Sequence, residues 1–147
     1  MQRVNQNLYY WKLFTSDLIC KAAMFLTPET IYIYASASEQ FKEAVTGDFA
    51  KELWNIKLSI HFNAPPSATP YATFWELYNH KYRDLSPEMR ILFSIIKEGD
   101  LVAFSKIKMP EWKWNQRERD GKRLIDFAAI NRNKEFLEYC YLLILGN

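Results

Sequence analysis

The spacing of apolar residues along the chain predicts a series of short helices. Apolar side chains recur at helical intervals from Leu18 to Leu26, which predicts a first helix over residues 16–25 with Thr15 or Ser16 as its N-cap. Long alternations of β-branched residues are absent, and glycine is scarce at 4 residues. Both features favour helices over strands, so the sequence predicts an all-α fold.

Two further helix starts carry the same local signal. Residues 27–29 read Thr-Pro-Glu and residues 86–88 read Ser-Pro-Glu. Each places a hydroxyl at the N-cap, proline at the first helical position and an acid in the first turn. The second signal opens a helix over 87–98, and Gly99 is a typical residue to follow its end.

Between these starts, the pattern predicts a short helix that stops near Gly47 and a longer amphipathic helix after it. Asp48 is the predicted N-cap of the longer helix, and its predicted apolar face consists of Phe49, Leu53, Ile56 and Ile60. The segment 63–70, NAPPSATP, then predicts a connection between subdomains. An aromatic-rich helix is predicted over 71–82.

An internal repeat follows with an offset of 33 residues, since ILFSIIKEGDLVAFSKI from Ile91 aligns with LIDFAAINRNKEFLEYC from Leu124. Each copy predicts a helix, a tight polar turn and a second helix. A helix pair at this period resembles the ankyrin repeat, with about two degenerate units in the chain. The usual Thr-Pro-Leu-His of the family is replaced at residues 123–126 by Arg-Leu-Ile-Asp.

Composition and charge narrow the functional classes. Apolar residues form 49% of the chain, which is ample for a packed core. The net charge is only +2, so a whole-domain nucleic-acid footprint is not expected, and no stretch reaches the length of a membrane span. The two cysteines, Cys20 and Cys140, lie in apolar helical patterns that predict buried reduced thiols and favour a reducing compartment.

No residue pattern predicts catalysis. His61 and His80 have no Cys, Asp or Glu at metal-ligand spacing, and the sequence contains no nucleophile elbow, phosphate loop or zinc signature. The expectation is a non-enzymatic protein without metal or cofactor.

The order of motifs in residues 12–62 resembles the F-box, which binds Skp1. Leu13-Phe14 stands where the family has Leu-Pro, a Leu-x-Pro turn follows the first helix, and Leu53-Trp54 comes near the end. In the family, the Leu-Pro pair inserts into Skp1. The resemblance therefore implies a helical F-box whose Skp1-binding residues are Leu13, Phe14, Leu18, Ile19, Ala22, Leu26, Pro28, Ile31 and Trp54.

The loop KMPEWKWNQRERDGKR, residues 108–123, joins the two repeats. In ankyrin proteins such loops project toward the binding face, and Trp and Arg often anchor interfaces. The predicted client contacts are Trp112, Trp114, Arg117 and Arg119. Nucleic-acid binding, membrane docking, or tryptophans packed back on the first repeat are alternatives for this loop.

Together the resemblances imply three segments: an F-box of three to four helices over 12–62, a linker with an aromatic bridging helix over 63–85, and ankyrin-like repeats over 86–147. This order is similar to F-box/ankyrin effectors that intracellular bacteria inject into host cells. It implies an adaptor in the host cytoplasm that recruits Skp1, and through it cullin-1, to a client for ubiquitination. The alternative is a small helical interaction module that does not engage Skp1.

Overall fold

The computed structural model describes residues 2–106, 116–124, 126, 127, 138 and 142. Within these residues the chain forms seven named helices and no strand, which confirms the all-α prediction. The helices are α1 (Gln2–Ala23), α2 (Pro28–Ala37), α3 (Glu39–Thr46), α4 (Lys51–Phe62), α5 (Pro70–Lys81), α6 (Pro87–Glu98) and α7 (Leu101–Ser105).

Backbone contacts divide the chain into two compact units, Met1–Phe74 and Trp75–Asn147. The division falls inside the segment 63–85 that was expected to separate an F-box from ankyrin-like repeats. The finer assignment of 12–62 and 86–147 to those two families stays a prediction. No helix in the part of the chain that the structure describes is long and apolar enough to cross a membrane.

The two helix starts that local signals predicted are confirmed. The Thr27 hydroxyl accepts a hydrogen bond from the Thr30 amide at 3.3 Å, and Pro28 is the first residue of α2. The Ser86 hydroxyl accepts from the Met89 amide at 3.2 Å at the start of α6. These caps satisfy amides that no helical carbonyl can reach, so three residues of sequence are enough to set each start.

The predicted start of the first helix is wrong. Helix α1 begins at Gln2 and not at residue 16, and Thr15 lies within it. The Thr15 hydroxyl donates to the carbonyl of Trp11 at 2.8 Å, one turn back, and so does not act as a cap. The first 27 residues contain neither Gly nor Pro, so nothing in the sequence interrupts the helix earlier.

Two predictions about α4 are also wrong. Asp48 does not cap the helix, because residues Asp48–Ala50 form a separate 3-10 turn and Ala50 stands at the N-cap without a side-chain bond. The predicted apolar face is only partly buried, since Phe49 and Ile60 are exposed. The face that enters the core consists of Leu53, Trp54, Lys57, Leu58 and His61.

Trp54 and Lys57 enter the core of the first unit because their polar atoms find partners there. The Trp54 indole donates to the Val45 carbonyl at 2.7 Å, and its ring lies 5.1 Å from that of Phe74. The Lys57 ammonium donates to the carbonyls of Met24 and Leu26 at 3.1 and 2.5 Å. Both carbonyls follow the end of α1, where the helix dipole favours a cation.

The second unit has an aromatic core. The rings of Tyr78 and Tyr82 lie 4.9 Å apart, and Phe93 on α6 lies 5.7 Å from Tyr82. Helix α6 is followed by Gly99, whose φ of 68° lies in the left-handed region that favours glycine. Asp100 then caps α7. This helix–turn–helix is the arrangement predicted for the first repeat, as far as residue 106. Most of the second repeat lies outside the described residues.

Candidate interaction surface

A stripe of apolar side chains runs along the solvent side of α1. Trp11, Phe14, Leu18 and Ala22 are spaced by three, four and four residues, which places them on one face of a helix. Trp11, Phe14 and Leu18 are 66%, 56% and 50% exposed, and Ala22 is also exposed. The rings of Trp11 and Phe14 lie 6.0 Å apart. We call these four residues the α1 stripe.

The opposite face of α1 packs into the first unit. Cys20 and Ala23 are buried there, and the Cys20 thiol donates to the Ala44 carbonyl on α3 at 3.2 Å. Helix α1 is therefore apolar on two sides, of which the core covers one. A surface helix normally carries polar residues on its outer side, so the uncovered α1 stripe has the composition of a binding surface.

Exposed apolar side chains are concentrated in the same part of the sequence. Phe25, in the turn after α1, is 87% exposed. Helix α2 buries Pro28 and Ile31 and leaves three consecutive large side chains in solvent. As a result, seven of the 13 exposed large apolar side chains of the described residues fall between positions 11 and 34; these are Trp11, Phe14, Leu18, Phe25, Tyr32, Ile33 and Tyr34.

Charged residues border the α1 stripe. Lys12 and Lys21 are both exposed, and Lys21 forms an i,i+4 ion pair with Asp17 at 3.1 Å. An exposed pair of this kind contributes about 0.3–0.5 kcal/mol to helix stability. The stripe therefore has an apolar centre and a charged border, as protein interfaces commonly do.

The nine residues predicted to bind Skp1 differ in their exposure. Phe14, Leu18 and Ala22 are exposed and belong to the α1 stripe, whereas the half-buried ones are Leu13, Ile19 and Leu26. Those with buried side chains are Pro28, Ile31 and Trp54. A buried side chain reaches a partner only if the unit rearranges. In this structure these last three side chains therefore pack inside the first unit and are not available for contact with a partner.

Trp11 was missed by the sequence reasoning. It precedes Phe14 by three residues, and this spacing is the signal that could have found it. The predicted helix start at residue 16 left Trp11 outside the helix, so its place on the stripe was not recognised. The same error placed Leu13-Phe14 before the first helix, whereas the structure has the pair in the middle of α1.

Of the four residues predicted to contact a client, the structure describes two. Trp112 and Trp114 lie outside the described residues. Arg117 and Arg119 are exposed in a tight turn, which we call the basic turn and which covers residues 117–123. Arg117 and Arg123 form an antiparallel bridge, and the Gly121 amide donates to the Glu118 carbonyl at 2.9 Å. Gly121 has φ of 87°, which explains glycine at this position.

A buried ion pair joins the basic turn to α6. The Lys97 ammonium lies 3.2 Å from a Glu118 carboxylate oxygen, and both side chains are almost fully buried. The same ammonium donates to the Tyr82 hydroxyl at 2.6 Å and lies 4.2 Å from the centre of the Phe127 ring. Burial lowers the pKa of Lys97 to about 8, although Glu118 opposes this shift.

Metal ligands, reactive thiols and cavities are the features that bear on whether the described residues could carry out chemistry. No group of three or more His, Cys, Asp or Glu side chains within them could hold a metal ion. Burial raises the pKa of the Cys20 thiol to about 11, with a smaller contribution from Asp17, so this thiol is a poor nucleophile.

A cavity of about 230 Å³ lies at the starts of α4 and α5, with Trp54 and Tyr71 among its lining residues.

The chain matches no protein-family model, no curated protein and no solved structure.

Proposed function

We propose that this chain is a non-catalytic adaptor, which docks Skp1 through the α1 stripe and holds a protein client through its second unit. The observation that carries the proposal is the two-sided apolar character of α1. One side of the helix packs on the first unit, and the other presents Trp11, Phe14 and Leu18 to solvent. Two of these three, Phe14 and Leu18, are also positions at which the F-box resemblance implies contact with Skp1.

The adaptor needs no catalytic residue of its own. A client held beside a ubiquitin-conjugating enzyme experiences a high effective concentration of that enzyme, so ubiquitination follows from proximity. Skp1 and cullin-1 would supply this link in the cytoplasm of a eukaryotic host cell.

A second candidate is a helical interaction module that uses the same stripe for a partner other than Skp1. The observation that favours it is the position of Phe14 inside a continuous helix. In the F-box family, this position is the proline of an opening Leu-Pro pair, and proline fixes a backbone angle that Phe14 does not fix.

A pull-down of the full chain with purified Skp1 separates the two candidates. Wild type should retain Skp1, and the double variant Phe14→Ala/Leu18→Ala should not. The matched control is Phe49→Ala/Ile60→Ala, because these side chains have comparable exposure, 47% and 43%. Failure of wild type to bind under conditions where a known F-box binds would exclude the Skp1 adaptor and leave the second candidate.

A further inference from the structure

The basic turn contains more cations than carboxylates. Residues 117–123 contain four cations and two carboxylates. The carboxylates in and beside the turn are each engaged by one cation, in the pairs Glu118–Lys97, Asp120–Lys81 and Asp126–Arg123. Hydrogen bonds from Lys81 and from Arg123 hold the pKa values of Asp120 and Asp126 below the usual range, so both carboxyls are ionised at neutral pH.

Three cations of the turn are left over by this pairing. Arg117, Arg119 and Lys122 are exposed, and none of them forms an ion pair with any residue that the structure describes. All three lie within positions 117–122, at one tight turn. We call these three residues the cationic pad.

Burial differs sharply between neighbours in the turn. Glu118 is buried and pairs with Lys97, whereas Arg117 and Arg119 on either side of it are exposed. The Arg117 guanidinium donates to the Gly121 carbonyl at 2.7 Å.

Contacts with α5 hold the turn in place. The Arg119 amide donates to the Lys81 carbonyl at 3.1 Å, and its guanidinium lies 3.3 Å from the His80 ring nitrogen Nδ1. The turn that carries the pad is therefore held in place before any partner arrives, which lowers the entropy cost of binding.

We propose that the cationic pad binds an acidic segment of a protein client, a run of Asp and Glu side chains. Arginine guanidinium groups match carboxylates with paired hydrogen bonds, and the pad offers two of them beside one ammonium. A nucleic acid is a poorer match, because affinity for its backbone depends on the number of phosphates that the protein neutralises, and the pad offers three cations. The inference refines the client-binding half of the proposed function and rests on it.

Fluorescence anisotropy with the full chain tests the proposal. The probe is a fluorescein-labelled peptide of about ten glutamates, titrated at about 50 and 200 mM salt, since exposed charge pairs weaken as screening increases. The triple variant Arg117→Ala/Arg119→Ala/Lys122→Ala should bind the probe at least about tenfold more weakly than wild type. Its helical circular dichroism should equal that of wild type.

The matched control removes the same charge from exposed lysines of the first unit, in the triple variant Lys12→Ala/Lys42→Ala/Lys51→Ala. It should bind the probe within about twofold of wild type. If the pad variant loses helicity, Lys122→Glu replaces it and should also weaken probe binding, because Lys122 is exposed and its side chain makes no hydrogen bond to a residue that the structure describes.

An equal loss in control and pad variants would overturn the proposal, because binding would then reflect overall charge. Failure of wild type to bind the probe at the lower salt would overturn it too. A single-stranded oligonucleotide of equal charge that binds more tightly through the same three residues would assign the pad to nucleic acid instead. Since Skp1 is absent from the assay, none of these results bears on Skp1 binding by the α1 stripe.

Discussion

Replacing Phe14 by alanine should weaken partner binding and leave the fold intact. Phe14 is 56% exposed in the free chain. An aromatic side chain buries about 150–250 Å² when fully covered, so a partner could cover roughly 110 Å² of Phe14 that is now in water. At about 25 cal/mol per Å², that area corresponds to nearly 3 kcal/mol, or up to about a 100-fold increase in the dissociation constant.

The stability of the same variant should hardly change. Substitutions of exposed side chains usually alter the unfolding free energy by less than about 0.5 kcal/mol. Ile31→Ala provides the contrast, because Ile31 is 1% exposed and its truncation should cost about 2–5 kcal/mol. Phe49→Ala is the exposed control and should affect neither quantity.

Isothermal titration with Skp1 gives the affinities, and urea denaturation followed by circular dichroism gives the stabilities. A surface role for Phe14 is refuted if Phe14→Ala lowers the unfolding free energy as much as Ile31→Ala does, because Phe14 would then belong to the core. It is also refuted if Phe14→Ala and Phe49→Ala bind Skp1 as tightly as wild type.

Three further predictions concern the core. Trp54→Ala should lower the unfolding free energy of the chain, measured in urea, by about 3–5 kcal/mol because a large buried ring is removed. Trp54→Phe should lower it by about 1–3 kcal/mol, since the buried Val45 carbonyl loses its donor. Equal stability of both variants and wild type would contradict the packing. The pKa of Lys97 is lowered to about 8 from 10.5, so between these pH values the unfolded chain binds more protons and the unfolding free energy should rise with pH. In urea denaturation, the unfolding free energy of wild type minus that of Lys97→Met/Glu118→Gln should therefore rise over this range, because the opposing contribution of Cys20 is common to both chains. A difference that falls with pH would refute the assignment. Cys20 should resist a thiol reagent at pH 8 until denaturant unfolds the chain, because its thiol is buried with a pKa of about 11. Labelling is read by peptide mass, and rapid labelling of this residue in the native chain would contradict its burial.

The features that sequence reasoning predicted correctly depend on neighbouring residues. The starts of α2 and α6 are set by a hydroxyl, a proline and an amide within one turn, so a short window of sequence contains the whole cause. The end of α6 at Gly99 is local in the same way.

The features that were not predicted depend on distant contacts. Lys57 is buried because the carbonyls of residues 24 and 26, more than 30 positions away in the chain, accept hydrogen bonds from its ammonium. Because lysine counts as polar in a helical-periodicity pattern, the predicted buried face of α4 included Ile60 and left out Lys57. The same holds for Glu118 in the basic turn, whose burial depends on Lys97 in α6.

The α1 stripe was predicted in part for a related reason. Phe14, Leu18 and Ala22 were found from their motif positions, but Pro28, Ile31 and Trp54 were included with them. Periodicity identifies apolar faces without showing which of them the chain itself covers. Only the packing of the first unit separates the exposed members from the buried ones.

The most direct test of the central claim is isothermal titration of wild-type chain into purified Skp1 at several temperatures. We expect a one-to-one complex with a dissociation constant in the micromolar range or below and a negative heat-capacity change, since the α1 stripe buries apolar surface on binding. Absence of a binding isotherm at about 100 μM protein, where a known F-box saturates, would contradict it.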